Sequence, residues 1–323
     1  MPEQFDFITL GETMVRLSPP GFQRIAQAQS FDFQIGGAES NVAINLAWLG
    51  FKTAWLSRMP DNPLGRRVVS QIASHGVDTS GVRFVPGGRV GVYFIELATP
   101  PRPNRVIYDR AGSAASQMTS ADVDFDRITQ ARWLHMTGIT PALSASCRAM
   151  TADVMRFARD HGLIVSFDVN YRALLWSAQE AGRVLEPLMP LCHYVFVAHR
   201  DAMTLFAAPE APRRAAEVLR LRFGCDVLVM TLAEAGAIAQ TESHQVEVPQ
   251  PFKVPQIVDR IGAGDAFDAG FMAARVWGLS LEASLHYAHA MSALKLTLLG
   301  DLAPFSKDEL DQLVAGCSAA SIR

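Results

Sequence analysis

With 323 residues, 49% of them hydrophobic and 19% charged, the chain can build one sizeable α/β core and is neither disordered nor fibrous in composition. Its formal net charge of -3 leaves no basic footprint for nucleic acid or an anionic membrane surface, so phosphate recognition has to be local. Cys147, Cys192, Cys225 and Cys317 are widely spaced without a CxxC pair, and no run approaches about 18 uninterrupted apolar residues; a reducing cytoplasm is expected, without zinc, disulfides or a membrane span.

In chain order, the apolar run Phe7 to Leu10 reads as a buried strand, and Glu39 to Leu49 has helical spacing with Val42, Leu46 and Leu49 on one stripe. Ahead of that helix, Gly36-Gly37-Ala38-Glu39-Ser40-Asn41 combines a glycine turn with polar groups. The pattern suits contacts to ligand hydroxyls and also a plain N-cap. Gly91 to Leu97 and Asn104 to Arg110 read as strands joined by the turn-rich Ala98 to Pro103, an antiparallel hairpin outside the main sheet.

Trp133 to Met136, Leu163 to Phe167, Tyr194 to Val197 and Val227 to Thr231 are short β-rich runs beside helical stretches such as Met150 to His161 and Arg213 to Phe223. That alternation implies βαβ units and a mostly parallel sheet covered by helices on both faces. No repeat or long linker interrupts it. One domain, 1–323, is expected, with a small β lid formed by segments near 12–35 and 89–112.

The strongest chemical signal is Gly262-Ala263-Gly264-Asp265, followed by the apolar helical run Phe271 to Val276. Glycines at a helix start let backbone N–H groups approach an anion, and the helix dipole favours phosphate. A carboxylate in that first turn can accept a hydroxyl proton while the N–H groups stabilise phosphoryl oxygens. Taken alone, the string also fits a tight turn in which Asp265 merely caps the helix.

In order, type and spacing of Gly36 to Ala43, Leu46 to Gly50 and the GAGD run about 220 residues later, the chain resembles the ribokinase-like, or PfkB, carbohydrate kinases over nearly its whole length. The resemblance implies a ribokinase-like fold, ATP and Mg²⁺ as cofactors, Asp265 as catalytic base and Gly262, Ala263 and Gly264 as the anion hole. It allows a monovalent cation and a homo-oligomer formed through the lid. No Walker-type GxxxxGK[ST] occurs, as suits this family.

Val229 to Gly236 matches the strand and turn that contact the nucleotide in relatives, which implies Thr231, Ala233 and Gly236 there, with Ala233 standing where glycine is usual. Ala198-His199-Arg200-Asp201 aligns with an Asn-x-x-Glu motif that organises Mg²⁺, so Asp201 is the candidate metal residue and the amide is lost at Ala198.

Within the family, Arg105 to Ser116 looks like the lid strand of 2-keto-3-deoxygluconate kinases, Gly91 to Phe94 like its partner, and Asp168-Val169-Asn170-Tyr171-Arg172 like their Asp-x-Asn-x-Arg loop. Resemblance extends to Ala293 to Thr297 and to Gly300-Asp301. It implies ATP-dependent phosphorylation of 2-keto-3-deoxygluconate to its 6-phosphate. Implied sugar contacts are Gly36, Gly37, Ala38, Glu39, Ser40, Asn41, Tyr93, Arg105, Tyr108, Arg110, Asn170 and Arg172, with Asn170 also at the nucleotide. Arginine suits a sugar-acid carboxylate through bidentate pairing. A neutral-sugar kinase such as a fructokinase, or a sugar-binding regulator without turnover, are the competing readings.

Overall fold

The computed structural model describes residues 4–99 and 101–319. Pro100 of the expected turn, the side chain of Cys317 and the ends 1–3 and 320–323 of the expected domain lie outside the described residues.

The strands are β1 (Phe5–Leu10), β2 (Met14–Ser18), β3 (Asp32–Gly36), β4 (Thr53–Leu56), β5 (Arg58–Pro60), β6 (Arg83–Val85), β7 (Val92–Glu96), β8 (Arg105–Asp109), β9 (Ala131–Thr137), β10 (Ile164–Asp168), β11 (Tyr194–Ala198), β12 (Val227–Thr231), β13 (Ala237–Gln240) and β14 (Gln245–Val248). The main sheet has eight strands in the order β14-β13-β12-β11-β10-β9-β1-β4. From β4 to β12 all neighbours are parallel, and β13 and β14 add an antiparallel edge.

Alternation along each central strand decides which layer a side chain joins. Val195 and Val197 enter one apolar cluster and Phe196 the other; Leu228 and Met230 are likewise separated from Val229. Both faces therefore need helices. Ala145–Asp160 covers the first, burying Cys147, Met150, Thr151, Val154, Met155 and Ala158 at helical spacing, and Ser144 caps it by accepting the Cys147 N–H at 3.1 Å. Each such large apolar side chain contributes about 1.5–3 kcal/mol by burial, and truncation of Met155 to Ala would cost about 2–5 kcal/mol. Ala263–Val276 and Leu281–Lys295 pack together on the second face.

A second sheet of four strands, ordered β3-β2-β7-β8, stands outside the main one. Its β7 and β8 are the expected antiparallel hairpin, with Tyr93 opposite Tyr108. β2 and β3, to which no strand was assigned from sequence, complete it. The outer strand β8 is largely exposed, whereas β2 is buried even at Arg16.

Candidate active site

In an open parallel sheet, ligand loops gather at the carboxyl ends of the strands. Here Glu12 follows β1, Ile139 follows β9, Arg172 follows β10 and Asp201 follows β11. These loops and the outer sheet enclose a cavity of about 730 Å³ whose lining includes Tyr171, Arg200, Asp201 and Thr204. Beneath it a narrow hollow reaches Gly37, Asn41, Tyr93, Gly262 and Asp265. Tyr108, Arg110 and Arg172 line both, so the two spaces meet at these side chains.

Asp265 lies in the first turn of the helix Ala263–Val276. Gly262 before it has φ +82, and a Cβ there would fall 1.9 Å from the carbonyl oxygen of Asp301, so only glycine fits. No side chain caps this helix start. The Ala263 N–H donates to the Arg260 carbonyl at 3.4 Å, the N–H groups of Gly264 and Asp265 have no partner among the described residues, and the space beside Gly264 is open for 4 Å around an added Cβ. The N-terminus is thus free to receive an anion.

The Asp265 carboxylate is buried and accepts a hydrogen bond from Asn41 Nδ2 at 2.6 Å. Burial pushes its pKa up to about 6, the Asn41 bond and the Arg172 charge oppose that rise, and Asp301 adds to it. At neutral pH it is mostly ionised yet close to its titration point, the condition a general base requires.

Charged support stands directly behind this turn. Arg16 donates from Nη2 to Asp259 at 2.5 Å and from Nη1 to Asp301 at 2.7 Å, all three buried. The Tyr93 hydroxyl donates to Asp301 at 2.7 Å. Gly36 lets these groups approach: a Cβ there would lie 2.2 Å from Asp301 Oδ2 and 2.3 Å from Tyr93 Oη. Removing one partner of such a buried pair strands a charge and costs about 3–5 kcal/mol.

Gly36, Gly37, Ala38, Asn41, Tyr93, Tyr108, Arg110, Arg172, Gly262 and Asp265 are brought together around the hollow. Of the two arginines among them, one is already engaged and the other is not. Arg110 donates from Nε to Glu12 Oε2 at 2.8 Å and also from Nη2, while Ser113 bonds the other oxygen of Glu12. Arg172 is exposed, and its guanidinium has no hydrogen bond or ion pair among the described residues; only its carbonyl is engaged, accepting from the Leu175 N–H at 2.9 Å.

The expectation that Glu39 and Ser40 face a ligand is corrected. On the helix Ala38–Trp48, positions 38 and 41 share the hollow's side, and 39 and 40 turn into the core. Glu39 accepts hydrogen bonds from the Thr137 N–H at 3.2 Å, Thr137 Oγ1 at 2.9 Å and Thr140 Oγ1 at 2.7 Å, and burial pushes its pKa up to about 7. Ser40 Oγ accepts from Thr13 at 2.6 Å and donates to the Gly37 carbonyl at 3.0 Å.

Arg105 is corrected as well: three residues from Tyr108 on one strand, it projects from the opposite face at the far end of β8, opposite Glu96. Asn170 lines neither cavity; it holds φ +37, a conformation asparagine tolerates, and its N–H donates to Asp168 Oδ1 at 3.1 Å. Thr231, Ala233 and Gly236 also lie outside both cavities, and Ala233 adopts φ +54, a strained value for alanine. Glu12, Arg16, Asp259 and Asp301 were not singled out from sequence as site residues. The Gly11-Glu12 pair at the end of the first buried strand was the available signal, since that strand end borders the ligand side.

Among the described residues no group of three or more His, Cys, Asp or Glu side chains could hold a metal ion by itself. Carboxyls nevertheless concentrate beside Asp265. Burial pushes Asp168 up to about 7, with Asp265 and Asp201 adding to the rise, and burial raises Asp268 with help from Asp168 and Asp265. Asp268 is buried beside Asp168, its Oδ2 meeting no hydrogen-bond donor among the described residues, and Asp201 lines the large cavity next to Arg200 Nε at 3.2 Å. Such a set fits Mg²⁺ in its usual mode, held by one or two carboxylates while phosphate oxygens and water complete the shell.

A family model described as pfkB family carbohydrate kinase matches residues 5–308. The chain is 40% identical over 315 residues to the 2-dehydro-3-deoxygalactonokinase of Haloferax volcanii, covering 97% of this chain and 98% of that one. To the 2-dehydro-3-deoxygluconokinase of Bacillus subtilis it is 31% identical over 301 residues, 93% and 92% of the two chains. The crystal structure of 2-dehydro-3-deoxygluconokinase from Thermotoga maritima aligns with a TM-score of 0.88 at 32% identity, covering 97% and 100%.

Proposed function

The chain belongs to the pfkB family of carbohydrate kinases, and within it we propose that this protein transfers the γ-phosphoryl group of ATP to the terminal hydroxyl of a 2-keto-3-deoxy sugar acid. The gluconate form, yielding its 6-phosphate, is the primary substrate. Its C4 epimer, the galactonate form, is a second reading, favoured by the 40% identity to a kinase named for that sugar.

The observation that carries the sugar-acid reading is Arg172: an exposed residue whose guanidinium has no partner among the described residues, at the junction of the two cavities, and whose charge is felt by Asp265. Arginine offers a planar pair of donors that matches a carboxylate. Tyr108 stands beside it to pack on the carbon skeleton, and Arg110, held by Glu12, keeps a second positive group at the same junction.

In this reading Asp265 accepts the proton of the terminal hydroxyl as its oxygen bonds to the γ-phosphorus and the bond to the ADP oxygen breaks. Backbone N–H groups of the Gly262, Ala263 and Gly264 anion hole stabilise the charge on the phosphoryl oxygens, those of Gly262 and Gly264 being without a partner among the described residues. Asn41 holds the carboxylate in place. Mg²⁺ bound with ATP would be held through Asp201 and the neighbouring carboxyls and would neutralise phosphate charge. Thr231, Ala233, Gly236 and Asn170 are proposed to meet the nucleotide on the open surface outside the two cavities.

The outer sheet acts as a lid in this proposal, and the exposed Ile107 on β8, on the face away from Tyr108, makes it the proposed face for a homo-oligomer. A cytoplasmic location is also proposed, supported by the free, buried thiols of Cys147, Cys192 and Cys225. No helix among the described residues is long and apolar enough to cross a membrane.

Product analysis tests the reaction. Incubation with ATP, Mg²⁺ and 2-keto-3-deoxygluconate should give a phosphorus resonance coupled to the protons of carbon 6; phosphorylation at another carbon, or none, would refute it.

A further inference from the structure

Lys295, the last residue of the helix Leu281–Lys295, is fully buried. Its Nζ donates to the carbonyl oxygens of Asp259 at 3.0 Å and Leu298 at 3.3 Å. These carbonyls belong to two separate loops. One runs from Asp259 into the helix start at Ala263; the other runs from Leu298 to Asp301.

The same loops are tied at their side chains. Asp259 accepts from Arg16, from the Ile261 N–H at 3.0 Å and from the Gly300 N–H at 3.2 Å, while Asp301 accepts from Arg16 and Tyr93. They also touch directly, since no Cβ fits between Gly262 and the Asp301 carbonyl. Two buried cations, Arg16 and Lys295, thus balance two buried carboxylates, Asp259 and Asp301, just behind Asp265. An apolar side chain of similar volume would fill this place without desolvating a charge, so packing alone does not explain an ammonium here. Burial lowers the Lys295 pKa, and the Asp259 and Asp301 carboxylates work against that.

We propose that Lys295 is a built-in cation: its ammonium clamps the Asp259–Gly262 turn to the Leu298–Asp301 loop, positions the helix start for phosphoryl transfer, and removes any need for a small monovalent ion. Backbone carbonyls are the ligands that a potassium ion takes in place of water, and here the lysine already occupies them. The cluster is charge-balanced, so a further cation would enter without a counter-charge. The monovalent cation that the family resemblance allows therefore does not fit this turn. The proposal makes Lys295 a positioning residue and rests on the reading of the Ala263 helix start as the phosphoryl site.

The test is the wild-type kinase assay in potassium, sodium, ammonium and tetramethylammonium chloride at one ionic strength, with Lys295→Ala, Lys295→Met and Lys295→Arg alongside. Wild-type kcat should agree within about two-fold across the salts, because bulk screening is held constant. Lys295→Ala should lose kcat at least about tenfold with a smaller change in sugar KM, and potassium or ammonium should restore part of it. Lys295→Arg should retain more kcat than Lys295→Met. Strong activation of the wild type by potassium would overturn the proposal, as would a folded Lys295→Ala or Lys295→Met with wild-type kcat, or a folded Lys295→Ala that no small cation rescues. The wild-type salt series decides even if the variants do not fold. Absence of ADP formation in every salt would instead remove the kinase reading on which the proposal rests.

Discussion

Asn41 and Asp265 stand 224 residues apart in sequence and meet through a 2.6 Å hydrogen bond from Nδ2 to the carboxylate. The bond stabilises the ionised form of the base and offsets part of the rise that burial causes. It connects the two motifs most legible in the sequence, one opening the helix Ala38–Trp48 and the other the helix Ala263–Val276. Because the base works only when deprotonated, kcat/KM should fall with unit slope as pH drops through about 6. Asn41→Ala removes a bond that lowers the pKa, so its acid limb should move upward by roughly one pH unit or more. A pH–rate profile that stays put in this variant would remove Asn41 from control of the base.

Asp265→Asn keeps the shape of the side chain and removes its ability to take a proton. Turnover should drop by about 10²- to 10⁴-fold while ATP and sugar affinities change only a few-fold. Steady-state rates with binding titrations check this. Turnover above about one per cent of wild type, with the product unchanged, would contradict the base assignment.

Arg172→Ala should impair a sugar acid far more than a neutral sugar. A hydrogen bond to a charged group is worth about 1.5–3 kcal/mol, so the ratio of the two kcat/KM values should change by about 10- to 150-fold. Arg172→Lys should recover only part, because an ammonium cannot make the two-bond planar pairing. Equal losses on both substrate classes would move Arg172 to the nucleotide or to the fold.

Closure of the outer sheet over the cavity should slow amide exchange in Val92–Glu96 and Arg105–Asp109 when sugar is bound. Hydrogen-exchange mass spectrometry with and without saturating sugar measures it. Unchanged exchange in both strands would make the sheet a fixed wall.

The parallel core was legible because its strands are continuous β-branched and apolar runs, such as Val227 to Thr231, set between helices with apolar stripes. β2 was not, since its Met-Val-Arg-Leu-Ser run carries a charge that reads as solvent-facing while Arg16 is in fact buried against Asp259 and Asp301. Those partners lie 243 and 285 residues away, a pairing that local pattern cannot reveal. Glu39 and Ser40 illustrate a different limit. A polar run at a helix start shows that something is bonded there, and only the rotation of the helix decides whether that is a ligand or Thr137, Thr140 and Thr13. Arg105 shows a third limit: it starts β8 opposite Glu96, a strand length away from Asp109 and Arg110 at the end that lines the cavity, and local pattern does not say which end of a hairpin meets the site.

The most direct measurement is kcat/KM from coupled ADP release with 2-keto-3-deoxygluconate, its galactonate epimer, fructose and ribose, at saturating ATP and Mg²⁺. At least one of the two sugar acids should exceed both neutral sugars by at least about tenfold, the advantage expected from a charge-assisted bond to Arg172. Fructose or ribose matching or exceeding both acids, or no ADP released with any of the four, would contradict the account.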